Sequence, residues 1–420
     1  MKSFKLHFEE IQRGGYPVFW KKVRDQLQKL RKVVSAPFVV PIILVIRLIR
    51  PSIYFRFGSF RVDRIGHFVA DSALTLAESN LNQKNRYSDW YYFSSAVCNQ
   101  QWSKMVKRSF RIRWWVQDLY FWNSIIPGGD VHTRNIGPDL GSRDIHGWHQ
   151  SSEKIQFKSE EEKKAKCWLS KQGWKEGESF VCFIIRDASY LIKSSLHGWT
   201  HEQGLYHSYR DSDIATYVQA AEYLAEQGIW VLRMGKQVAK PFPSKHPKII
   251  DYAFHPEKSD LLDIWLFANC YFSVSSSCGP DEICNFYNRP LVLVNAGPLA
   301  LCYSWSDFIW VPKNLVWGKN RKNLTLKEYL QHKYLHTQHY ENTGIEIIDV
   351  SSDEITEAVT EKLMRIQGVW IDKDENVKQQ QQFWKQFKSW VEFSKYHDWI
   401  HPEARMGAYF LEKMGDSFLK

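Results

Sequence analysis

Arg186 and Asp187 close the apolar run Phe180–Ile185. An arginine at such a place presents a planar fork of donors that suits a phosphate or carboxylate. The plain alternative is an Arg-Asp pair that only caps a strand. Two other places repeat the arrangement of an apolar run ending in polar groups. Arg233-Met234-Gly235 follows Ile229–Leu232, and Ser275-Ser276-Ser277-Cys278-Gly279 follows Tyr271–Val274. The serine-rich turn precedes a helical stretch from Asp281. It therefore offers hydroxyls, backbone N–H groups and the positive end of a helix dipole to an anion. Its spacing is neither that of a P-loop nor that of a dinucleotide fingerprint, so the sequence supports neither an NTPase nor a dehydrogenase.

Further candidates are scattered. Arg64-Ile65-Gly66-His67 precedes a helical stretch containing Asp71. Gly66 suits a tight backbone turn, and His67 and Asp71 are candidate bases beside Asp187. Asp260 could accept from a base or ribose, or simply belong to a helix start. Asp211-Ser212-Asp213 has the letters of a metal-binding DxD, but its place before a helix favours capping. His146, Trp148 and His149 are dense in metal-ligand types yet lack a His-x-x-x-His register, so a surface loop is the preferred reading. No metal site is expected.

These residues need strands and helices to position them. Phe180–Ile185 is too short for a helix and apolar throughout, as a buried parallel strand should be. Ile229–Leu232, Ile249-Ile250, Tyr271–Val274 and Pro290–Val294 read as further strands. Helices are expected over Ile214–Gln227, Leu261–Asn269 and Asp281–Tyr287. Strand and helix alternate, which predicts a doubly wound parallel sheet with its ligand crevice at the carboxyl ends of the strands. Upstream, Ile53–Phe57, a turn at Gly58 and a helix over 69–79 form a first strand-turn-helix unit. Tyr87–Phe93 is a second strand, and the charged stretch 152–172 is a helix bridging two domains.

The chain has 420 residues, which exceeds what one core usually serves. Its formal charge of +10 suits an anionic partner. No nucleic-acid motif is present, so nucleic acid is not the expected one. The seven cysteines include no CxxC, which argues against a zinc ribbon or a disulfide scaffold and fits a reducing compartment. The N-terminus does not read as a signal peptide. Val33–Ile49 is strongly apolar but interrupted by Pro37, Pro41 and Arg47, and is shorter than the roughly 20 apolar residues a spanning helix needs. Flanked by Lys and Arg, it reads as a segment lying on an anionic membrane surface, or else as a buried helix.

The chain also resembles a known family. Phe183–Asp187 (FIIRD), Tyr209–Ile214 (YRDSDI), Tyr223–Gly235 (YLAEQGIWVLRMG) and Ser259–Gly279 (SDLLDIWLFANCYFSVSSSCG) are similar to a family of bacterial glycosyltransferases found with surface-polysaccharide genes. Ile49–Phe68 (IRPSIYFRFGSFRVDRIGHF) is similar to that family's opening, and the likeness runs from about Ile46 to Pro298. More distantly, the strand-then-Arg at Arg186 and the serine-rich turn resemble fucosyltransferase-like enzymes of the GT-B fold. Those carry a His two residues before the Arg, where Ile184 stands here.

The resemblance implies a GT-B-like α/β fold, two Rossmann-like domains facing a central cleft, preceded by a membrane-apposed helical segment. The expected division is 1–50 (basic and apolar helical segment), 51–175 (acceptor domain), 176–370 (donor domain) and 371–420 (C-terminal helices). It implies metal-independent transfer from a nucleotide-diphosphate sugar to a glycan or lipid-linked acceptor. No cofactor is expected beyond the donor. The place of work would be the cytoplasmic face of the cell membrane. Arg186 would hold the β-phosphate and Arg233 a phosphate or ribose edge. Gly235, Asp260, Ser275, Ser276, Ser277 and Gly279 would complete the donor site. The alternatives are a nucleotide-sugar epimerase of the same architecture and a membrane-apposed binding protein without catalysis.

Overall fold

The computed structural model of the chain describes residues 2–81, 87–136, 153–193 and 208–420. The cluster at His146, Trp148 and His149 lies outside them. The described chain is mixed α/β with parallel sheets, and its contacts group into two compact units.

The smaller unit contains the helix Lys2–Leu48, β1 (Tyr54–Phe60), β2 (Tyr87–Phe93), the helix Val116–Ile125 and β3 (Thr133–Arg134). Its sheet is parallel, in the order β2-β1-β3. β1 does not stop at Gly58 but runs through it. A Cβ on Gly58 would lie 2.9 Å from the Ile136 side chain and 3.1 Å from the Arg134 carbonyl, so the glycine serves a close strand approach rather than a turn. Ile43, Phe57, Val116 and Leu119 form a buried core cluster, with Val39 and Ile46 packed against it.

One face of the first helix is therefore core, and the other is not. Val34, Phe38, Val45 and Leu48 are exposed apolar residues at helical spacing. The nearby cations turn the other way. Arg31 pairs with Asp118 at 2.8 Å, and Lys32 sits 4.0 Å from the Phe121 ring centroid. Arg47 bonds Asn123 and neighbouring carbonyls, and Arg50 lies over Tyr54. The helix is continuous through Pro37 and Pro41. Among the described residues no helix is long and apolar enough to cross a membrane.

The larger unit is built on a seven-stranded sheet. Its strands are β4 (Phe180–Ile184), β5 (Trp230–Arg233), β6 (Ile249–Ile250), β7 (Ser273–Ser275), β8 (Leu291–Ala296) and β9 (Phe308–Pro312). β10 (Asn314–Trp317) and β11 (Ile345–Ile348) pair antiparallel beside it, and β12 (Arg405–Met406) closes the main sheet against β9. The order is β12-β9-β8-β7-β4-β5-β6, parallel throughout. β4, β7 and β8 are buried along their whole length, and β4 and the Leu291–Val294 part of β8 accordingly read as apolar runs.

Chain order runs outward from β4 to β6 on one side, then returns to β7 and continues the other way. The strand order thus reverses between β4 and β7. That reversal opens a crevice at their carboxyl ends. The helix Ile65–Leu81 and the helix Gln100–Ser109 group with this larger unit. Within 371–420, expected as helices, Arg405 and Met406 instead pair with Ile309 and Trp310 as β12, ahead of the helix Ala408–Phe418.

Candidate functional site

At that reversal lies a cavity of about 420 Å³, lined entirely by residues of the larger unit. β4 delivers Arg186 and Asp187 to it, β5 delivers Met234 to Val238, and the turn and short helix after β7 deliver Cys278, Gly279, Pro280, Glu282 and Ile283. The pairing that aligns these ends is direct: Phe183 faces Arg233 and Ile184 faces Ser275 across the ladder. Arg64 to His67 cover the same space from the start of the helix Ile65–Leu81. Gly66 there has no left-handed backbone. It is required because a Cβ would meet the Gly279 backbone, 3.0 Å from its Cα and 3.1 Å from its oxygen.

Arg186 is the cationic centre of the wall. Its Nε is buried without a hydrogen bond, 3.4 Å from the Asp211 carboxylate. Burial, and then Arg210 nearby, lower its pKa. The backbone around it is pinned: its N–H donates to Ser276 Oγ at 2.8 Å, and its carbonyl accepts from the Ser212 N–H at 3.2 Å. Asp187 has both carboxylate oxygens engaged, by the Ser189 N–H at 2.8 Å and the Ala239 N–H at 2.9 Å, so it ties two cavity loops together.

His67 lines the cavity. Burial, reinforced by Arg61 and Arg64, pushes its pKa down to about 4, so the imidazole is neutral at pH 7. Gly235 also lines it, at φ +152°, where a Cβ would lie 2.5 Å from Val238. Lys236 beside it donates to the Cys98 carbonyl at 2.6 Å.

The other residues singled out from the sequence lie behind the wall. Arg233 is 1% exposed and points away from the cavity's lining. It ion-pairs with Asp251 at 3.1 Å and donates to the Lys240 carbonyl at 3.0 Å. Asp251 also accepts from the Phe242 N–H, so Arg233 anchors the loop that carries Gly235 and Lys236. Asp260 accepts from the Gln100 N–H at 2.6 Å and pairs with Lys236. Ser259 caps the helix Asp260–Asn269, its Oγ accepting from the Leu262 N–H.

The serines spend their groups inside the turn. Ser275 Oγ donates to Asp281 Oδ2 at 2.9 Å, and Ser276 Oγ takes the Arg186 N–H. Ser277 sits at φ 61°, its carbonyl held by Arg210. Of the turn 275–279, Cys278 and Gly279 line the cavity. Asp213 caps the turn that follows it, accepting from the Ala215 N–H. Among the described residues no three His, Cys, Asp or Glu side chains cluster as metal ligands.

Asp71 is 3% exposed and accepts the Arg61 N–H at 3.1 Å. Burial raises its pKa from the ordinary 3.8 to about 6. The folded state thus holds the proton more tightly than the unfolded chain. Stability from this group is fully present below 3.8, falls between 3.8 and about 6, and stays low above. Asp71→Asn can keep the Arg61 bond and removes the buried charge. It is expected to raise the melting temperature at pH 8, by at most about 3 kcal/mol of stability, and to change little at pH 4. Thermal unfolding at both pH values checks this. A destabilised variant at pH 8 would contradict it.

Three further charged groups line the cavity. Arg210 comes from the short 3-10 helix Ser208–Arg210, Asp263 from the first turn of the helix Asp260–Asn269, and Glu282 from the short helix after the serine turn. Glu282 Oε2 is buried without a hydrogen bond. Burial, then the neighbouring Asp281, push its pKa up to about 8. The signal for Arg210 was the YRDSDI stretch, which drew attention only to its aspartates.

Neither a protein-family model nor a curated protein sequence matches the chain. Three solved structures resemble it at low identity. A glycosyl transferase of family 9 from Veillonella parvula is 10% identical, over 74% of this chain and 98% of its own, with a TM-score of 0.46. The E. coli ADP-heptose LPS heptosyltransferase II is 12% identical, over 62% of this chain and 90% of its own, with a TM-score of 0.39. S. aureus MnaA, solved with UDP, is 11% identical, over 76% and 98%, with a TM-score of 0.30.

Proposed function

We propose that this protein is a glycosyltransferase of GT-B type. It moves a sugar from a nucleotide-diphosphate donor to a glycan or lipid-linked acceptor in bacterial surface-polysaccharide synthesis. The observation that carries the reading is the placing of Arg186. A half-buried guanidinium whose Nε is buried without a hydrogen bond faces a cavity at the strand-order reversal of a parallel sheet. When the bond to the sugar breaks, negative charge grows on the leaving diphosphate. Preorganised cations in a desolvated wall stabilise that charge more than water does. His67 is neutral at pH 7 and lines the same cavity, so it is the candidate to take the acceptor hydroxyl's proton.

The test is nucleoside diphosphate release from a panel of nucleotide-sugars, with and without a saccharide acceptor. Release that needs acceptor is expected, and it should survive EDTA, because the cavity's own cations neutralise the diphosphate. Sugar interconversion without acceptor would make the protein an epimerase, and binding without turnover a receptor. Loss of activity in EDTA, restored by Mg²⁺ or Mn²⁺, would end the metal-independent reading.

The same reading places the protein at the inner membrane face, through the apolar stripe Val34, Phe38, Val45 and Leu48. Because Arg31, Lys32, Arg47 and Arg50 have partners in the smaller unit, apolar burial is expected to dominate over attraction to anionic lipid. Removing all of residues 1–49 would take away Ile43, which is fully buried, so substitution is the cleaner test. The triple variant Val34→Glu, Phe38→Glu, Val45→Glu should stay folded and stop floating with phosphatidylcholine–phosphatidylglycerol vesicles. Equal flotation of variant and wild type, or none by wild type, would remove the membrane contact.

A further inference from the structure

Arg210 and Arg186 line one cavity from different segments, and burial, followed by the Arg210 charge, makes Arg186 a less comfortable cation. Two guanidiniums turned into one space repel each other, and the repulsion is stronger away from water. A fold keeps such a pair when something negative sits between them. Asp211 supplies part of that charge, 3.4 Å from Arg186 Nε. It approaches the Nε edge, which leaves the Nη end of the fork for the cavity. Asp211 is itself fixed from behind, its carbonyl accepting from Lys313 Nζ at 2.6 Å. The lining carries Arg64, Arg186, Arg210 and Lys236 against Asp187, Asp263 and Glu282, and burial pushes the Glu282 pKa up to about 8, so that it is mostly protonated at pH 7 and a positive excess remains.

The loop that brings Arg210 is tied to both neighbouring turns. Ser212 N–H bonds the Arg186 carbonyl, and Arg210 Nη2 bonds the Ser277 carbonyl at 2.5 Å. That second bond uses one of five N–H donors. It also aims the guanidinium at the turn whose Cys278 and Gly279 line the cavity. Arg186 thus follows β4, and the segment bonded to it brings Arg210 against the neighbouring turn after β7.

We propose that Arg210 is the second cation of a two-arginine cradle, and that it is the residue that selects a diphosphate over a monophosphate. This rests on the reading of the cavity as the donor site, but not on any transfer occurring there. A single phosphate group can be held by Arg186 alone. A second, linked phosphate needs a second cationic fork at the far side of the same space.

The test uses inorganic pyrophosphate and inorganic phosphate as probes, in titration calorimetry without sugar or acceptor. Wild type should prefer pyrophosphate by about tenfold or more, the effect of one charge-assisted contact. Arg210→Gln can still donate to the Ser277 carbonyl but carries no charge. It should lose about tenfold in pyrophosphate affinity, change phosphate affinity by less than roughly twofold, and keep its melting temperature. Arg210→Lys should retain most of the preference. Should Arg210→Gln not fold, the wild-type preference and its persistence in Arg210→Lys decide the matter.

Equal weakening of both anions in Arg210→Gln would mean that Arg210 only props the turn. A wild type that does not discriminate would also overturn the proposal. No pyrophosphate binding at all would defeat both this inference and the donor-site reading. Selective loss in Arg210→Gln from a protein that transfers no sugar would leave the cradle standing and the transferase reading fallen.

Discussion

Arg186→Ala is expected to abolish transfer and to weaken nucleoside diphosphate binding by about 1.5–3 kcal/mol, or roughly ten- to more than a hundredfold. The loss should be large because the side chain is held in place rather than free. Its backbone is bonded on both sides, by Ser276 Oγ and the Ser212 N–H, and neither bond involves the side chain that alanine removes. The turns should therefore keep their course in the variant. What disappears is the cation facing the cavity, and with it the partner of Asp211. Burial already pushes the Asp211 pKa up to about 6, against the pull of Arg186. Without that guanidinium the carboxyl should titrate higher still and sit behind the cavity wall as a neutral acid near pH 7. Calorimetric titration with UDP, ADP and GDP, and product release with the best donor, measure the effect. Wild-type turnover in a folded Arg186→Ala protein would remove Arg186 from the donor site.

Gly66→Val should damage the same cavity through packing alone. Gly66 and Gly279 approach each other backbone to backbone. A Cβ on Gly66 would lie 3.0 Å from Gly279 Cα, and one on Gly279 would lie 3.2 Å from the Gly66 nitrogen. Neither neighbour is a flexible side chain that can swing aside. Overpacking of this kind costs about 1–3 kcal/mol. The strain falls on two turns that both line the cavity, so ligand binding should fall along with the melting temperature. Gly66→Ala should show the same direction with a smaller effect. A Gly66→Val protein with wild-type melting temperature and wild-type diphosphate binding would show that the contact is dispensable.

Much of the larger unit was legible in the chain. Phe180–Ile185 is apolar at every position because β4 is covered on both faces. Capping chemistry was legible at Asp213, which accepts from a backbone N–H two residues on, a local bond that depends on little else, whereas at the helix Asp260–Asn269 the cap is Ser259 and not Asp260. β9, β10, β11 and β12 were not found. β12 is two residues long, and only its pairing with β9 makes it a strand.

The sequence by itself determined that polar groups follow the buried strands, and so that a ligand edge exists. It could not determine which way each group turns. Arg186 and Arg233 both follow apolar runs, yet one faces the cavity and the other is drawn back by Asp251 and the Lys240 carbonyl. The serines 275 to 277 have the composition of an anion turn, but Asp281 and the Arg186 N–H consume the hydroxyls of Ser275 and Ser276. Arg210 lies in a stretch with no strand before it and enters the cavity only because its loop is bonded to two distant turns. Periodicity reports whether a residue is buried. The direction of a charged side chain at a strand end is set by partners that the fold brings from elsewhere in the chain, and those only the tertiary structure decided.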